Sequence, residues 1–417
     1  MLLRFVGDRL KFRLSPERRT PEAFLRTNIG RGPMLHAEVL QDYYRELRRW
    51  DRASTPEPST QPRGTAWRDV PMRWKNDAWE IELTLTEPGF FDAKAYVVDE
   101  ESRQVWPDGR NIAISVHPSE YRTNNVIYCA FTRMFGETKS LSATIKKDPL
   151  IENLEKQQYA VIPPSGKFRD LIKEFPHIFG TLGCRILHLL PVNPTPTTYA
   201  RFGRFGSPYA AEDLTMIDPA LVEFDRRSTG VEQFQELTYA AHCHGGRVFL
   251  DMVINHTGWG STLQENHPEW FLRNGNGMFE SPGAWGNTWE DLVELDHRVP
   301  LSWEHIAEAF IVWCRRGVDG FRCDAGYKVP TAAWRYIIAH VRHEFPETVF
   351  LLEGLGGAWE ATEELLTQGG MQWAYSELFQ NYSPIQVSGY LDHSMVKSAT
   401  VGTLVHYSET HDNERLA

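Results

Sequence analysis

Gly317-Val-Asp-Gly-Phe-Arg-Cys-Asp-Ala-Gly326 is the stretch whose reading decides the fold. Taken as a strand, it sends Arg322 and Asp324 to one face and Phe321 and Cys323 to the other. A charged pair at i, i+2 does not suit a simple buried strand, because Asp and Arg are seldom enclosed unless paired. It suits a strand that ends in a pocket, where the Arg holds the carboxylate ionised. An ionised carboxylate at a strand's C-terminal end is a candidate nucleophile. On its own the stretch fits a structural ion pair equally well, so its surroundings decide.

On both sides of it, short apolar runs alternate with amphipathic ones. The strand candidates are Arg185–Pro191, Arg247–Val253, Val318–Cys323 and Val349–Leu352, with a shorter run at Thr403–Tyr407. Helical patterns fall between them at Phe168–Phe179, Val231–His244, Ser302–Arg316, Thr331–Phe345 and Trp359–Gly369. Near-continuous apolar strands alternating with helices predict a parallel sheet buried on both faces, with functional residues at the strands' C-terminal ends. This α/β region is expected over residues 146–417, with a short insertion after its third strand at about 257–300.

Upstream the periodicity is different. Trp79-Glu-Ile-Glu-Leu-Thr-Leu-Thr alternates with period two, a Pro-Gly turn follows at Pro88-Gly89, and Asp92–Asp99 reads as the returning strand. Strand, turn, strand predicts a small all-β sandwich domain over 67–145. Residues 1–66 read as an N-terminal helical extension and linker. Leu35, Val39, Leu40, Tyr43, Leu47 and Trp50 have helical spacing, and the Pro/Ser/Thr run Ser54–Pro62 reads as the linker.

Composition narrows the function classes. The chain has 417 residues, 41% hydrophobic and 24% charged, which is ordinary for a globular protein. Lys+Arg 44 against Asp+Glu 55 gives a net charge of −11, which argues against nucleic-acid and acidic-membrane partners. The five cysteines, Cys129, Cys184, Cys243, Cys314 and Cys323, form no CxxC, so no zinc knuckle or disulfide framework is indicated. The opening residues are broken by charge before a signal-peptide core can form, and no apolar run reaches the ~18–20 residues that span a bilayer. A reduced, cytoplasmic setting is the expectation.

Four stretches place polar residues at strand ends: Asp251-Met-Val-Ile-Asn255-His256, Gly320-Phe-Arg322-Cys-Asp324, Leu352-Glu353-Gly354 and Glu409-Thr-His411-Asp412-Asn413-Glu414. Each alone has a bland explanation, a helix cap or a structural His. Together and in this order they resemble the α-amylase family of glycoside hydrolases, which act on α-glucans with a (β/α)8 TIM-type barrel. In that resemblance the four stretches follow the third, fourth, fifth and seventh barrel strands. Gly206-Ser-Pro-Tyr209, with Asp213 and then Ile217-Asp218-Pro219, resembles a further family stretch.

The resemblance implies roles that the residue chemistry supports. Asp324 matches the nucleophile and Glu353 the general acid/base, whose pKa must be raised for the first half-reaction. Asp412 matches the third carboxylate, which grips the distorted sugar. His256 and His411 match sugar-hydroxyl donors, Tyr209 a ring stacked under the sugar, Asp251 the acid bracing Arg322, and Asn255 its neighbour in the same stretch. Retention of configuration would place the two main carboxyls ~5–5.5 Å apart.

Two departures qualify it. Lys328 stands where calcium-dependent members carry a His, so no calcium and no other cofactor is expected. The chain also ends at Ala417, five residues after Asp412, so the barrel is expected to be truncated before its eighth strand. The function so implied is a retaining glycosidase acting on α-glucan or maltooligosaccharide. The alternatives are a 4-α-glucanotransferase of debranching type, which the loop after His256 also resembles, and an inactive glycan-binding relative.

Overall fold

The structure is a computed structural model that describes residues 1–50, 64–123, 125–137, 148–157, 159, 164–196, 206–284, 286–378, 383–407 and 409–412. The linker expected at 54–62 and the boundary expected near 145 lie outside the described residues. The chain forms two compact units that interleave in sequence. The first comprises Met1–Thr123, Trp334–Glu347 and Glu363–His406; the second comprises Asn124–Ala333, Thr348–Thr362 and Tyr407–Ala417.

The first unit begins with strands. The reading of residues 1–66 as a helical extension fails for residues 1–27, which carry β1 (Leu2–Phe5), β2 (Arg9–Leu14) and β3 (Glu22–Thr27). The signal was present. In Arg-Leu-Lys-Phe-Arg-Leu the apolar residues fall at every second position, and Leu10 and Phe12 are buried while Arg9, Lys11 and Arg13 are exposed. A helix does follow, at Gly32–Trp50, where helical spacing predicted one.

Six more strands complete two sheets: β4 (Arg68–Pro71), β5 (Arg73–Lys75), β6 (Ala78–Thr84), β7 (Gly89–Val98), β8 (Gln104–Val105) and β9 (Ile112–His117). One sheet runs β1-β9-β7-β3-β4 with β8 paired to β7, and the other runs β2-β6-β5. Between β5 and β6 the chain reverses in two residues, Asn76 and Asp77, both at positive φ (51° and 55°). That is the geometry a tight hairpin needs, and Asn and Asp tolerate it better than other side chains. The sheets share one core, with Leu10, Phe12 and Trp79 from one meeting Leu25, Phe91, Ile114 and Val116 from the other. Each fully buried side chain of this size stabilises by about 1.5–3 kcal/mol relative to exposure.

In the second unit five parallel strands lie side by side: β10 (Ile127–Ala130), β11 (Ile186–Leu189), β12 (Arg247–Val253), and, further along the chain, Gly320–Asp324 and Val349–Leu352. Between the third and fourth of these come β13 (His256–Gly258), β14 (Gly283–Ala284), β15 (Asn287–Thr288) and β16 (Leu292–Glu294). Gly320–Asp324 is then β17 and Val349–Leu352 is β18. The pairs β13–β16 and β14–β15 are antiparallel, and they fold the insertion back on itself. β11 and β18 are buried at every position, as a sheet covered on both faces requires.

Helices separate these strands. Gly230–Cys243 starts at a reciprocal cap, in which Thr229 Oγ1 accepts from the Glu232 amide and Glu232 accepts from the Thr229 amide. Leu301–Arg315 buries Phe310 edge-on against Phe321 of β17, with ring centroids 4.7 Å apart. Close approach explains one glycine: a Cβ on Gly320 would lie 2.6 Å from the Phe249 ring. β10 falls within 67–145, the span expected to be all-β sandwich, yet it pairs in parallel with β11. Its four residues are too short for the alternation to show a layer change.

Further along, β19 (Trp373–Tyr375) and β20 (Thr403–Val405) belong to the first unit and pair in parallel. An eighth parallel strand is not among the described residues. Among them, too, no helix is long and apolar enough to cross a membrane.

Candidate active site

The register of β12 against β17 builds the centre of the site. Asp251 pairs with Arg322, and Val253 pairs with Asp324, so both acids approach the guanidinium from neighbouring strand ends. Arg322 is 1% exposed and Asp251 is fully buried. Arg322 Nη1 donates to Asp251 Oδ1 (3.0 Å) and Asp324 Oδ1 (2.6 Å), and Nη2 reaches Asp412 Oδ2 (3.4 Å). One cation therefore binds three carboxylates carried by three different segments. This is the arrangement in which a buried charge can persist, since each partner lowers the cost of burying the others.

Glu353 leaves the end of β18 and is 8% exposed. Its Oε2 accepts from the Ala325 amide and its Oε1 from the Leu355 amide, both at 2.8 Å. The first of these donors exists because the chain bends sharply after Asp324. Ala325 has φ 44°, a left-handed conformation that costs a non-glycine residue energy and turns its N–H towards Glu353. The Gly326 amide then donates to the Glu353 carbonyl, closing the loop.

Burial pushes Glu353 above the usual carboxylate range, against the pull of Arg322 and the two amides. Burial likewise pushes Asp324 up to about 7; Arg322 opposes this, while Asp251 and Glu353 add to it. The expectation that Arg322 keeps Asp324 ionised thus needs correcting, because one guanidinium is shared among several acids while the carboxyl is desolvated. Burial alone would raise Asp412 too, but its bond to His411 and the charge of Arg322 hold it below the usual range.

Around this centre lies a ring of polar side chains. Tyr209 Oη donates to Asp251 Oδ2 (3.0 Å) and bonds His411 Nε2, and the two rings stack with centroids 5.6 Å apart. His411 Nε2 also lies 3.1 Å from Asp412 Oδ2. His256 is 1% exposed, and its Nε2 stands 3.9 Å from Asp324 Oδ2 without a hydrogen bond among the described residues. Burial lowers His256 to about 3, with Lys328 contributing, so its imidazole is neutral. Asn255 Nδ2 lies 3.4 Å from His256 Nδ1 and its carbonyl accepts from the Leu295 amide, which ties the turn after β12 to the segment after β16. All nine residues singled out from the sequence belong to the second unit.

Two further residues touch the site and were missed. His188 Nε2 lies 3.2 Å from Asp251 Oδ2, and Cys129 Sγ lies 3.7 Å from His411 Nδ1. Burial alone would raise the Cys129 thiol, yet His188 and His411 bring it down to about 6, while His411 is raised to about 9 mainly by Asp412 and Cys129. Cys129 and His188 are register partners on β10 and β11. A His inside the otherwise apolar Ile186-Leu-His-Leu189 was the available signal.

Lys328 Nζ donates to the Gly283 carbonyl and sits 5.1 Å over the Trp289 ring, which ties the insertion to the segment after β17. Asp213 Oδ1 accepts from Thr215 and Met216, and Asp218 caps a short helix and pairs with Arg133, so both hold loops in shape. Among the described residues no group of three or more His, Cys, Asp or Glu is arranged to hold a metal ion.

The ends of the parallel strands thus bring Asp251, Asp324 and Glu353 together around Arg322, and Asp412 joins them from the C-terminal segment. No family model matches the chain. Over 205 residues it is 30% identical to the alpha-1,4-glucan:maltose-1-phosphate maltosyltransferase of Pseudomonas aeruginosa, an overlap covering 45% of this chain and 30% of that protein. The enzyme of the same name from Myxococcus xanthus is 24% identical over 416 residues, covering 82% of this chain and 61% of the relative. The crystal structure of an alpha-amylase from Lactobacillus plantarum matches with a TM-score of 0.54 and 27% identity, covering 70% of this chain and 64% of that one. The chain is related to the α-amylase family. It spans less than two thirds of the length of these curated relatives.

Proposed function

We propose that this chain carries the catalytic face of a retaining α-glucan-active enzyme that transfers glycosyl groups between sugars. The observation that carries the reading is the buried guanidinium of Arg322 bridging Asp251, Asp324 and Asp412, with Glu353 linked to the residue after Asp324. Retaining chemistry on a glycosidic bond needs one carboxylate to attack and one carboxylic acid to protonate the leaving oxygen. Asp324 attacks the sugar carbon and forms a covalent glycosyl–aspartate, while Glu353 gives its proton to the departing oxygen. Glu353 then takes a proton from the acceptor hydroxyl, which displaces Asp324 and regenerates both groups.

Two carboxyls that are both pushed upward by burial, and that repel when both are charged, favour holding one proton between them at neutral pH. That is the state from which the reaction starts. Asp412, ionised beside His411, would accept hydrogen bonds from sugar hydroxyls, and neutral His256 offers an unused Nε2 to the same sugar. Tyr209 holds His411 and Asp251 in register.

Transfer is preferred to hydrolysis because the sequence relatives are maltosyltransferases named for alpha-1,4-glucan and maltose-1-phosphate. Hydrolysis is the second reading, favoured by the structural likeness to an alpha-amylase. It uses the same residues with water as the acceptor. Incubating the full-length protein with maltohexaose, with and without maltose 1-phosphate as donor, tests both. Chain extension or a ladder of longer and shorter products supports transfer, release of short sugars alone supports hydrolysis, and no turnover rejects the proposal.

A further inference from the structure

On the first unit, a pocket of about 530 Å³ opens on the six-stranded sheet and is lined in part by Arg26, Trp67, Arg68, Asp69, Lys94 and Trp106. Its position follows from strand alternation. Ala23 and Leu25 of β3 enter the core, so Phe24 and Arg26 project from the opposite face. Arg26 is directly opposite Asp69 on β4 and directly opposite Lys94 on β7, so one row of the sheet carries acid, base, base. Arg26 Nε and Nη2 meet Asp69 Oδ1 and Oδ2 at 2.9 and 2.7 Å, which spends the one carboxylate in the lining. Lys94 Nζ donates to the Gly109 carbonyl (2.6 Å) and Arg68 Nη2 to the Ile29 carbonyl (3.0 Å).

Three cations against one carboxylate leave an excess of two positive charges, on a chain whose net charge is −11. Like charges facing each other across a strand pair destabilise a sheet. Asp69 already offsets Arg26, and an anion seated beside Lys94 and Arg68 would offset the remaining positive charge. The next row supplies an aromatic wall: Phe24 stacks on Tyr96 (5.7 Å), Tyr96 lies under Trp106 (4.4 Å), a residue that is 36% exposed, and the Arg26 guanidinium approaches the Tyr96 and Trp106 rings at 5.6 and 5.4 Å. Tryptophan faces of this kind accept the apolar side of a ring. The pocket's size is that of an ordinary small-ligand site.

We propose that this pocket binds a phosphorylated saccharide, its phosphate on Lys94 and Arg68 and its ring against Trp106. The anionic requirement comes from the lining alone; the choice of a saccharide rests on the reading of the other unit as glucan-active.

Isothermal titration of the full chain with glucose 6-phosphate, maltose and AMP tests it. Glucose 6-phosphate should bind one-to-one and at least about tenfold more tightly than maltose, the difference that one charge-assisted hydrogen bond makes, and more tightly than AMP, which shares the phosphate but puts a purine nucleoside where the hexose would sit. Lys94→Gln and Trp106→Ala should each weaken that binding by about tenfold or more while circular dichroism and glucan turnover stay at wild-type values. Asp324→Asn should bind as wild type does, which separates the pocket from the acid cluster. Equal or tighter binding of maltose or AMP, binding lost in Asp324→Asn but kept in Lys94→Gln, or no binding at all overturns the proposal. If the pocket behaves as expected while no glucan is turned over, the reading of the acid cluster fails and the anion pocket stands.

Discussion

Replacing Arg322 by Met is the most informative single perturbation. The substitution keeps an unbranched chain of comparable length and deletes a charge that is 1% exposed. Among the described residues Asp251, fully buried, would keep His188 and Tyr209 as side-chain donors, and Asp324 would lose its 2.6 Å partner. Two short charge-assisted bonds at about 1.5–3 kcal/mol each, and the general cost of orphaning a buried charge at about 3–5 kcal/mol, give similar totals. A loss of about 3–5 kcal/mol in denaturant unfolding at pH 7 is therefore expected.

The pH dependence has a definite sign. The folded value of Asp324, about 7, lies above its ordinary 3.8, so the folded state holds the extra proton between those limits. This group's contribution to stability is greatest below about pH 4 and declines as pH rises towards 7. Activity, which needs the ionised form, should rise through about pH 7 in kcat/KM. Without the guanidinium that opposes its rise, Asp324 moves up further and the acid limb moves with it. Arg322→Lys keeps the charge but not the fork, and should fall between wild type and Met on both measurements. Denaturant titration combined with a kcat/KM profile from pH 5 to 9 is the assay. A stability loss under about 1 kcal/mol with an unmoved acid limb would refute the idea that Arg322 organises the acids.

Other expectations are simpler. Asp324→Asn should abolish turnover of maltooligosaccharides while leaving the circular dichroism spectrum unchanged; wild-type rates would remove it as nucleophile. Glu353→Gln should lower kcat by about 10²–10⁴-fold on glucans, yet far less on an α-glucosyl fluoride, whose leaving group needs little protonation. His256 is depressed to about 3, so its contribution to stability is full above about pH 6.5 and is lost as pH falls towards 3. His256→Gln should flatten the acid side of the stability–pH curve by about one proton, measured by thermal melts from pH 4 to 7. Gly246→Ala would place a Cβ 2.3 Å from the Phe179 ring and should cost about 1–3 kcal/mol in unfolding free energy with kcat unchanged.

The parallel strands and the acids at their ends were legible because both signals are local. Arg247–Val253 and Val349–Leu352 are apolar runs with the observed bounds, and Arg322 and Asp324 announce a polar strand face by their spacing alone. The N-terminal strands were missed because three exposed basic residues, Arg9, Lys11 and Arg13, make β2 look polar as a whole, although its alternation is clean. Strands of three or four residues, β10 and β19, hold too few turns of any pattern to reveal a layer. Cys129 and His188 escaped for a different reason. Nothing in their own segments says that they meet His411 and Asp251, since those contacts arise from the register of strands far apart in sequence.

The bend at Ala325 carries a consequence for how robust the acid pair can be. Because the peptide after Asp324 is clamped by the Glu353 side chain, and Glu353 in turn returns a carbonyl to Gly326, the two carboxyl groups are tethered by a closed circuit of a few bonds. Breathing of the outer helices would carry both ends together, much as a caliper keeps its setting when it is moved. A β-branched side chain at 325 would not tolerate φ 44° and would spring that caliper without touching either acid.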